Sequence, residues 1–472
     1  MSQGAAVSSP PRHVTFVTGT LAEPSLRRVL ADLAPPFAYD IAVLKITVAA
    51  LMTTSWIARF LTAPAGTELI VIPGLSEGAL APIEARVGVP VARGPKELRD
   101  IPSFFGQRSV PLEYGASDIV IVAEINHAPR LSLDEILRAA TAYRDAGADI
   151  IDIGCVPGQP FDALHAVVTG LRSAGMRVSI DTFDEDEIRT AVGAGAELVL
   201  SLNATNVGVA ADLAGTGARA VVVPDLGGRL ESIEPTLDAL TRAGVPYLID
   251  PILEPIGHGF MASLERYAEV RRRYPDAEML MGIGNLTEMT AADSTGVNAI
   301  LVAVCQELGV RTVLTTEVAP WARGAVRELD VARRIMRHAV VHHTVPKGMD
   351  TRLLTIKDAA VPVYPETDLR ELQSRLTDPN FRIVADGDAI TVFNHERFVR
   401  GTDADAIFSQ LGVAEPSHAF YLGQELARAS LARSLGKAYR QDSPLQWGYL
   451  TPADARPARH VRLTPPRKAG HA

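Results

Sequence analysis

The chain has 472 residues, 47% of them hydrophobic, with 46 Lys and Arg against 55 Asp and Glu for a formal net charge of −9. This is an ordinary globular balance with room for two or three domains. It argues against broad nucleic-acid binding, which needs a clustered basic surface. The two cysteines, Cys155 and Cys305, are too few for a disulfide framework and lack zinc-type spacing, so a cytoplasmic protein is expected.

Residues 1–110 read as a small parallel α/β domain. The opening MSQGAAVSSPPR has no long apolar core and does not read as a signal peptide. Strands are expected at VTFVTGT (14–20), YDIAVLKI (39–46) and ELIVIPG (68–74), with helices near 24–33 and 48–62 between them. The stretch GTLAEPS (19–25) follows a strand and is open to a ligand, but it has neither GxGxxG spacing nor a P-loop lysine. A structural or dimerising role is the simpler reading.

Residues 112–345 carry eight short apolar runs: 118–125, 148–154, 177–181, 197–203, 218–225, 246–251, 278–285 and 311–317. Helical patterns such as LDEILRAATAYRDAG (133–147) and SLERYAEVRRRY (263–274) separate them, and a last helix is expected near 325–341. Near-continuous apolar strands mean a parallel sheet covered on both faces. Eight such units fit a closed (β/α)8 TIM barrel, with an open doubly wound sheet as the alternative. No run reaches the length of a membrane span.

Residues 346–472 read as a small α+β domain. FRIVADGDAITVFN (381–394) suggests a hairpin around Asp-Gly-Asp, and residues 417–442 suggest one long amphipathic helix. The Pro-rich, basic end reads as a mobile tail. The fold class is thus α/β, a central barrel with an N-terminal parallel α/β domain and a C-terminal α+β domain.

Barrel enzymes place their chemistry at the carboxyl ends of the strands. Those ends carry Glu124 and Asn126, Asp152, Asp181 and Thr182, Asn203, Asp225, Asp250 and Glu254, Asn285, and Thr316 and Glu317. Such a rim suits a divalent metal if the ligands converge. It also suits a heterocycle: a carboxylate accepts two hydrogen bonds from a 2-amino-4-oxo-pyrimidine edge, and an amide supplies donor and acceptor together. A strand-end cap is the plain reading for any one of these residues. Cys155 has no evident paired base and reads as packing. Arg337, His338, His342 and His343 read as a solvated or interface face rather than a metal site.

The motifs GADIIDIG (147–154), VSIDT (178–182), LSLN (200–203) and IDP (249–251) resemble successive strand motifs of dihydropteroate synthases and the related pterin-dependent methyltransferases. DPILEPIGHG (250–259) and GIGN (282–285) are closer to the methyltransferase branch. The synthase's flexible loop after strand one is replaced by NHAPRLS (126–132), and its lysine-bearing loop after strand seven and arginine-and-histidine pair at the end of strand eight by GIGNLTEMTAADSTG (282–296) and TTEVAPWARG (315–324). The three-part layout, with GLSEG (74–78) and residues 421–445, resembles the long dihydropteroate synthase-like proteins associated with tetrahydromethanopterin biosynthesis.

This resemblance implies that Asp181, Asn203 and Asp250 contact the pterin ring and that Asn285 lies near its reactive edge. Asn126 is implied near a diphosphate and its magnesium, as a metal ligand. The implied reaction joins a dihydropterin-6-methyl diphosphate to an arylamine, of ribofuranosyl aniline type. Asp181, Asp250 and Asn285 are the catalytic candidates. Arg323, ahead of the last barrel helix, is the candidate anion holder, because free backbone N–H groups lie beside it. The resemblance also implies a homodimer. Methyl transfer from a reduced pterin, to a separate corrinoid protein, and a non-catalytic pterin-binding scaffold are the alternatives.

Overall fold

The computed structural model describes residues 11–106, 114–227, 229–358, 363–386 and 388–451. The expected signal-free opening, the basic tail and the Gly at the centre of the Asp-Gly-Asp turn lie outside the described residues. The chain falls into two compact units: residues up to Ser117 together with Arg337–Pro346, and Asp118–Met336 together with the chain from Lys347 onward.

In the first unit four parallel strands, β1 (His13–Gly19), β2 (Ala38–Leu44), β3 (Leu69–Ile72) and β4 (Val91–Arg93), are ordered β2-β1-β3-β4. The strand β4 is an addition to the expected three; its three residues are too short a run to stand out. The expected helix over 48–62 is instead a 3-10 turn, Ala49–Leu51, and a helix, Thr54–Phe60. Met52 and Thr53 are extended between them, and the Thr53 side chain caps the helix by accepting from Trp56 N at 3.3 Å.

The second unit contains a closed parallel barrel of eight strands: β5 (Val120–Ile125), β6 (Ile150–Gly154), β7 (Val178–Asp181), β8 (Leu198–Leu202), β9 (Arg219–Val222), β10 (Tyr247–Ile249), β11 (Glu278–Gly282) and β12 (Thr312–Thr315). Pairing of β12 with β5 closes the ring and excludes the open sheet. The outer helices are built by ordinary local chemistry. Leu133–Ala146 starts with a Ser132/Glu135 capping box and buries Ile136 and Ala140. It stops at Gly147, where φ is +114° and a Cβ would lie 2.7 Å from Asp330. Arg333 ties the lower end of the barrel together, bonding Asp330 at 2.8 Å and the Ile119 carbonyl at 2.6 Å.

After the helix Ala325–Val341, four antiparallel strands follow: β13 (Arg382–Ala385), β14 (Ile390–Phe393), β15 (Phe398–Gly401) and β16 (Tyr439–Arg440), ordered β15-β14-β13-β16. The long helix expected over 417–442 spans Pro416–Ser434 only. Gly436, at φ +68°, turns the chain so that Tyr439 and Arg440 join the sheet beside β13. Among the described residues no helix is long and apolar enough to cross a membrane.

Candidate active site

Along each barrel strand every second side chain faces inward. Val122, Ile150, Leu198, Val221, Leu248 and Leu280 fill the interior as one apolar plug. Two residues further along, in the same inward phase, four of these strands turn polar or small, at Glu124, Asp152, Asp250 and Gly282, while Leu200 and Val223 stay apolar. Strand register aligns Glu124 with Asp152, Asp152 with Ser179, and Gly154 with Asp181. The layer above the plug therefore holds two facing carboxylates, with a third one step higher on the next strand.

These carboxylates form the first half of the site. One oxygen each from Glu124, Asp152 and Asp181 lies within 4.8 Å of the others. Asp152 is fully buried; its Oδ1 accepts from Ser179 Oγ at 2.6 Å and its Oδ2 has no partner. Glu124 Oε1 accepts from Asn126 Nδ2 at 2.9 Å, and Asn126 Oδ1 in turn accepts from Thr316 Oγ1. Gly154 makes room for Glu124, since a Cβ there would stand 2.4 Å from Oε1. A bulge in β8 puts Ser201 at φ +67° and lets its Oγ donate to Asp181 Oδ1 at 2.9 Å.

Burial penalises the charged form of all three. Asp152 is held well above the usual carboxylate range by burial, then by Asp181 and Glu124. Glu124 is pushed up to about 7 by burial, then by Asp181 and Glu288. Asp181 is raised by burial against the hydrogen bond from Ser201.

Asp250 anchors the second half. Its Oδ1 accepts from Tyr267 Oη at 2.5 Å and from Ile252 N at 2.8 Å. Ile252 takes φ +68°, a strained conformation for a β-branched residue, and its N–H meets Asp250 there. Arg266 fixes the same loop through the carbonyls of Pro251 at 3.1 Å and Ile252 at 2.8 Å. Asn285 Nδ2 donates to Leu253 O at 3.1 Å. Gly282 separates the two groups: a Cβ on it would lie 3.5 Å from Asn285 Nδ2 and 3.8 Å from Asp250 Oδ2. Burial raises Asp250 to about 6, opposed by the bonds from Tyr267 and Ile252.

The other expected residues have these positions. Asn203 is buried at the end of β8, and its Oδ1 accepts from Thr205 N at 2.9 Å and Thr205 Oγ1 at 2.6 Å. Arg323 is exposed on the loop after β12. Several strand-end residues are caps: Asp225 Oδ1 accepts from Ala204 N, Glu317 from Val326 N, and Thr182 from Asp184 N. Burial and then Glu187 raise the Cys155 thiol, which disfavours a thiolate nucleophile. In the first unit the rings of His338 and His342 lie 4.3 Å apart, tilted by 41°, and burial, then His338 and Arg28, lower His342. Sequence reasoning did not mark Ser179, Ser201, Tyr267 or Glu288. The spacing of Ser263, Tyr267 and Val270 on one helix face was the available signal for Tyr267.

Three families match the chain: a family of unknown function (DUF6513) over residues 12–96, the pterin binding enzyme family over 125–229, and PterinBD-DUF4346 over 378–442. An uncharacterized protein of Methanocaldococcus jannaschii is 26% identical, with 92% of this chain and 98% of the relative covered. Among solved structures, a Yersinia pestis dihydropteroate synthase with a pterine-sulfa conjugate is 18% identical, with 48% of this chain and 95% of that one covered and a TM-score of 0.39. A Thermus thermophilus dihydropteroate synthase in complex with 6HMPPP is 20% identical, with 46% and 92% covered and a TM-score of 0.38. The pterin binding enzyme match runs from Ile125 through the strands that carry Asp152, Asp181 and Asn203, so this part of the barrel is similar to pterin binding enzymes.

Proposed function

We propose that the barrel is a pterin-utilising transferase. In this reading it condenses a dihydropterin-6-methyl diphosphate with an arylamine of ribofuranosyl aniline type, in tetrahydromethanopterin biosynthesis. The observation that carries the pterin seat is the pairing of Asp250 with Asn285 across Gly282. There a fixed carboxylate with a free Oδ2 direction stands beside an amide, the pair a 2-amino-4-oxo ring edge requires. In this reading Asn203 and Asp181 add further polar contacts to the ring.

The C–O bond to the diphosphate breaks, the amine nitrogen bonds to the methylene carbon, and the amine proton passes to water. Positive character develops on that carbon, and the charges of Asp181 and Asp250 stabilise it electrostatically. Asn285 orients the ring edge, and Arg323 meets the departing anion from the loop after β12. Magnesium fits the residues by donor chemistry. Asn126 offers a carboxamide oxygen and Glu124 a carboxylate, beside the unpartnered Oδ2 of Asp152. When bound, it would neutralise the diphosphate.

The test is pyrophosphate release from dihydropterin-6-methyl diphosphate and magnesium, with and without p-aminobenzoate or a ribofuranosyl aniline phosphate. Amine-dependent release supports the reading; pterin binding without release removes it. The position of Asn285 beside Asp250 also favours a second reading, one-carbon transfer from a reduced methylpterin. Methyl loss to a cobalamin acceptor would select that reading.

A further inference from the structure

We propose that Glu124, Asp152 and Asp181 form a seat for one hard divalent cation in the barrel mouth, filled without any diphosphate. The proposal does not rest on the synthase reading, because the carboxylates hold the ion whatever substrate follows.

The placement comes from strand register, not from loop conformation. Glu124 and Asp152 are direct neighbours on β5 and β6, and Asp181 caps β7 one layer above. Ser179 fixes Asp152 by its Oδ1, which leaves Oδ2 buried and without a partner inside an acidic cluster. Buried acceptors are nearly always satisfied, so an orphan oxygen here points to a missing ligand. Among the described residues no Lys or Arg forms an ion pair with any of the three, and the charges acting on Glu124 and Asp152 are other carboxylates.

Size agrees as well. The donor oxygens spread over at most 4.8 Å. An ion with oxygen bonds of about 2.3–2.6 Å spans such opposed ligands directly, and one with bonds of about 2.1 Å does so after the carboxylates close by a few tenths of an ångström. The donor set is all oxygen, which selects a hard ion over zinc or copper. The missing Cβ of Gly154 leaves Glu124 free to swing over the ion. The Asn126 amide holds Glu124 from the other side. Waters complete the shell.

Shared protons are the competing way to neutralise the cluster, and a diphosphate-borne ion is the competing way to bring metal. Mn2+ titration of the EDTA-treated full-length protein, by calorimetry and electron paramagnetic resonance without pterin or pyrophosphate, separates them. The expected result is one bound Mn2+ per chain with a dissociation constant on the order of 10 μM, displaced by Mg2+ and Ca2+. Glu124→Gln and Asp181→Asn should each weaken it at least tenfold while the melting transition is kept. Asp152→Asn is the stronger variant if it folds; the other two decide the matter if it does not. Absence of binding at millimolar Mn2+ would overturn the proposal. So would binding that appears only with pyrophosphate, or variants that bind as the wild type does.

Discussion

The phenolic hydroxyl of Tyr267, carried on the helix Phe260–Arg273, donates to Asp250 Oδ1 at 2.5 Å from a fully buried position. This bond holds the carboxylate in place and favours its charged form. Tyr267→Phe removes it, and the expected loss is about 1–2 kcal/mol of stability. The pH midpoint for pterin binding should also move upward from about 6. Chemical denaturation and a binding titration at several pH values check both effects.

The pH dependence of Asp250 has a definite sign. Its folded pKa is raised from the ordinary value of 3.8 to about 6. Its contribution to stability is fully present below the unfolded value and is lost as pH rises through the folded one, by roughly 3 kcal/mol at most. The stability of the wild type relative to Asp250→Asn should therefore fall between about pH 4 and 6 and level off above. Under the proposed pterin seat, ligand binding runs the other way, because ring N–H groups favour the charged carboxylate. Denaturation of both proteins across this window gives the slope; a flat difference would remove the burial argument.

Gly154→Ala places a methyl group 2.4 Å from Glu124 Oε1. The obstacle is the end of a flexible side chain, so the fold should survive with a loss of about 1 kcal/mol. Under the proposed function, turnover should drop more than tenfold, because Glu124 is displaced from Asn126 and Asp152. Thermal unfolding beside turnover separates the two readouts.

Glu328 joins the barrel to the C-terminal stretch. Its carboxylate accepts from Ser294 Oγ, Thr295 Oγ1 and Asn298 Nδ2, each at 2.7 Å, and from Tyr449 Oη at 3.1 Å. Glu328→Ala strands these buried donors and should cost roughly 3 kcal/mol, whereas Tyr449→Phe should cost about 1 kcal/mol. Equal losses in denaturant titrations would argue against this network.

The barrel was readable because its strands are apolar runs at even spacing, and the polar residues Asp181, Asn203 and Asp250 were legible as strand ends. Geometry was not readable. Ser201 reaches Asp181 only through a bulge, and Ile252 reaches Asp250 only by adopting a positive φ. Neither departure has a glycine to announce it. Tyr267 lies 17 residues from Asp250 on a helix face that reads as plain core. The early end of the helix Pro416–Ser434 was hidden because its amphipathic pattern runs past Gly436 into the short edge strand β16. Asp152 looked like one strand-end carboxylate among many until register set it beside Glu124.

The most direct test of the pterin seat is a calorimetric titration of a reduced pterin into the wild type and into Asp250→Asn at pH 7.5. The Asp250 carboxylate should be worth a weakening of at least tenfold on substitution, because a buried ring N–H loses its charged acceptor. Unchanged affinity, with the variant folded, would contradict the seat.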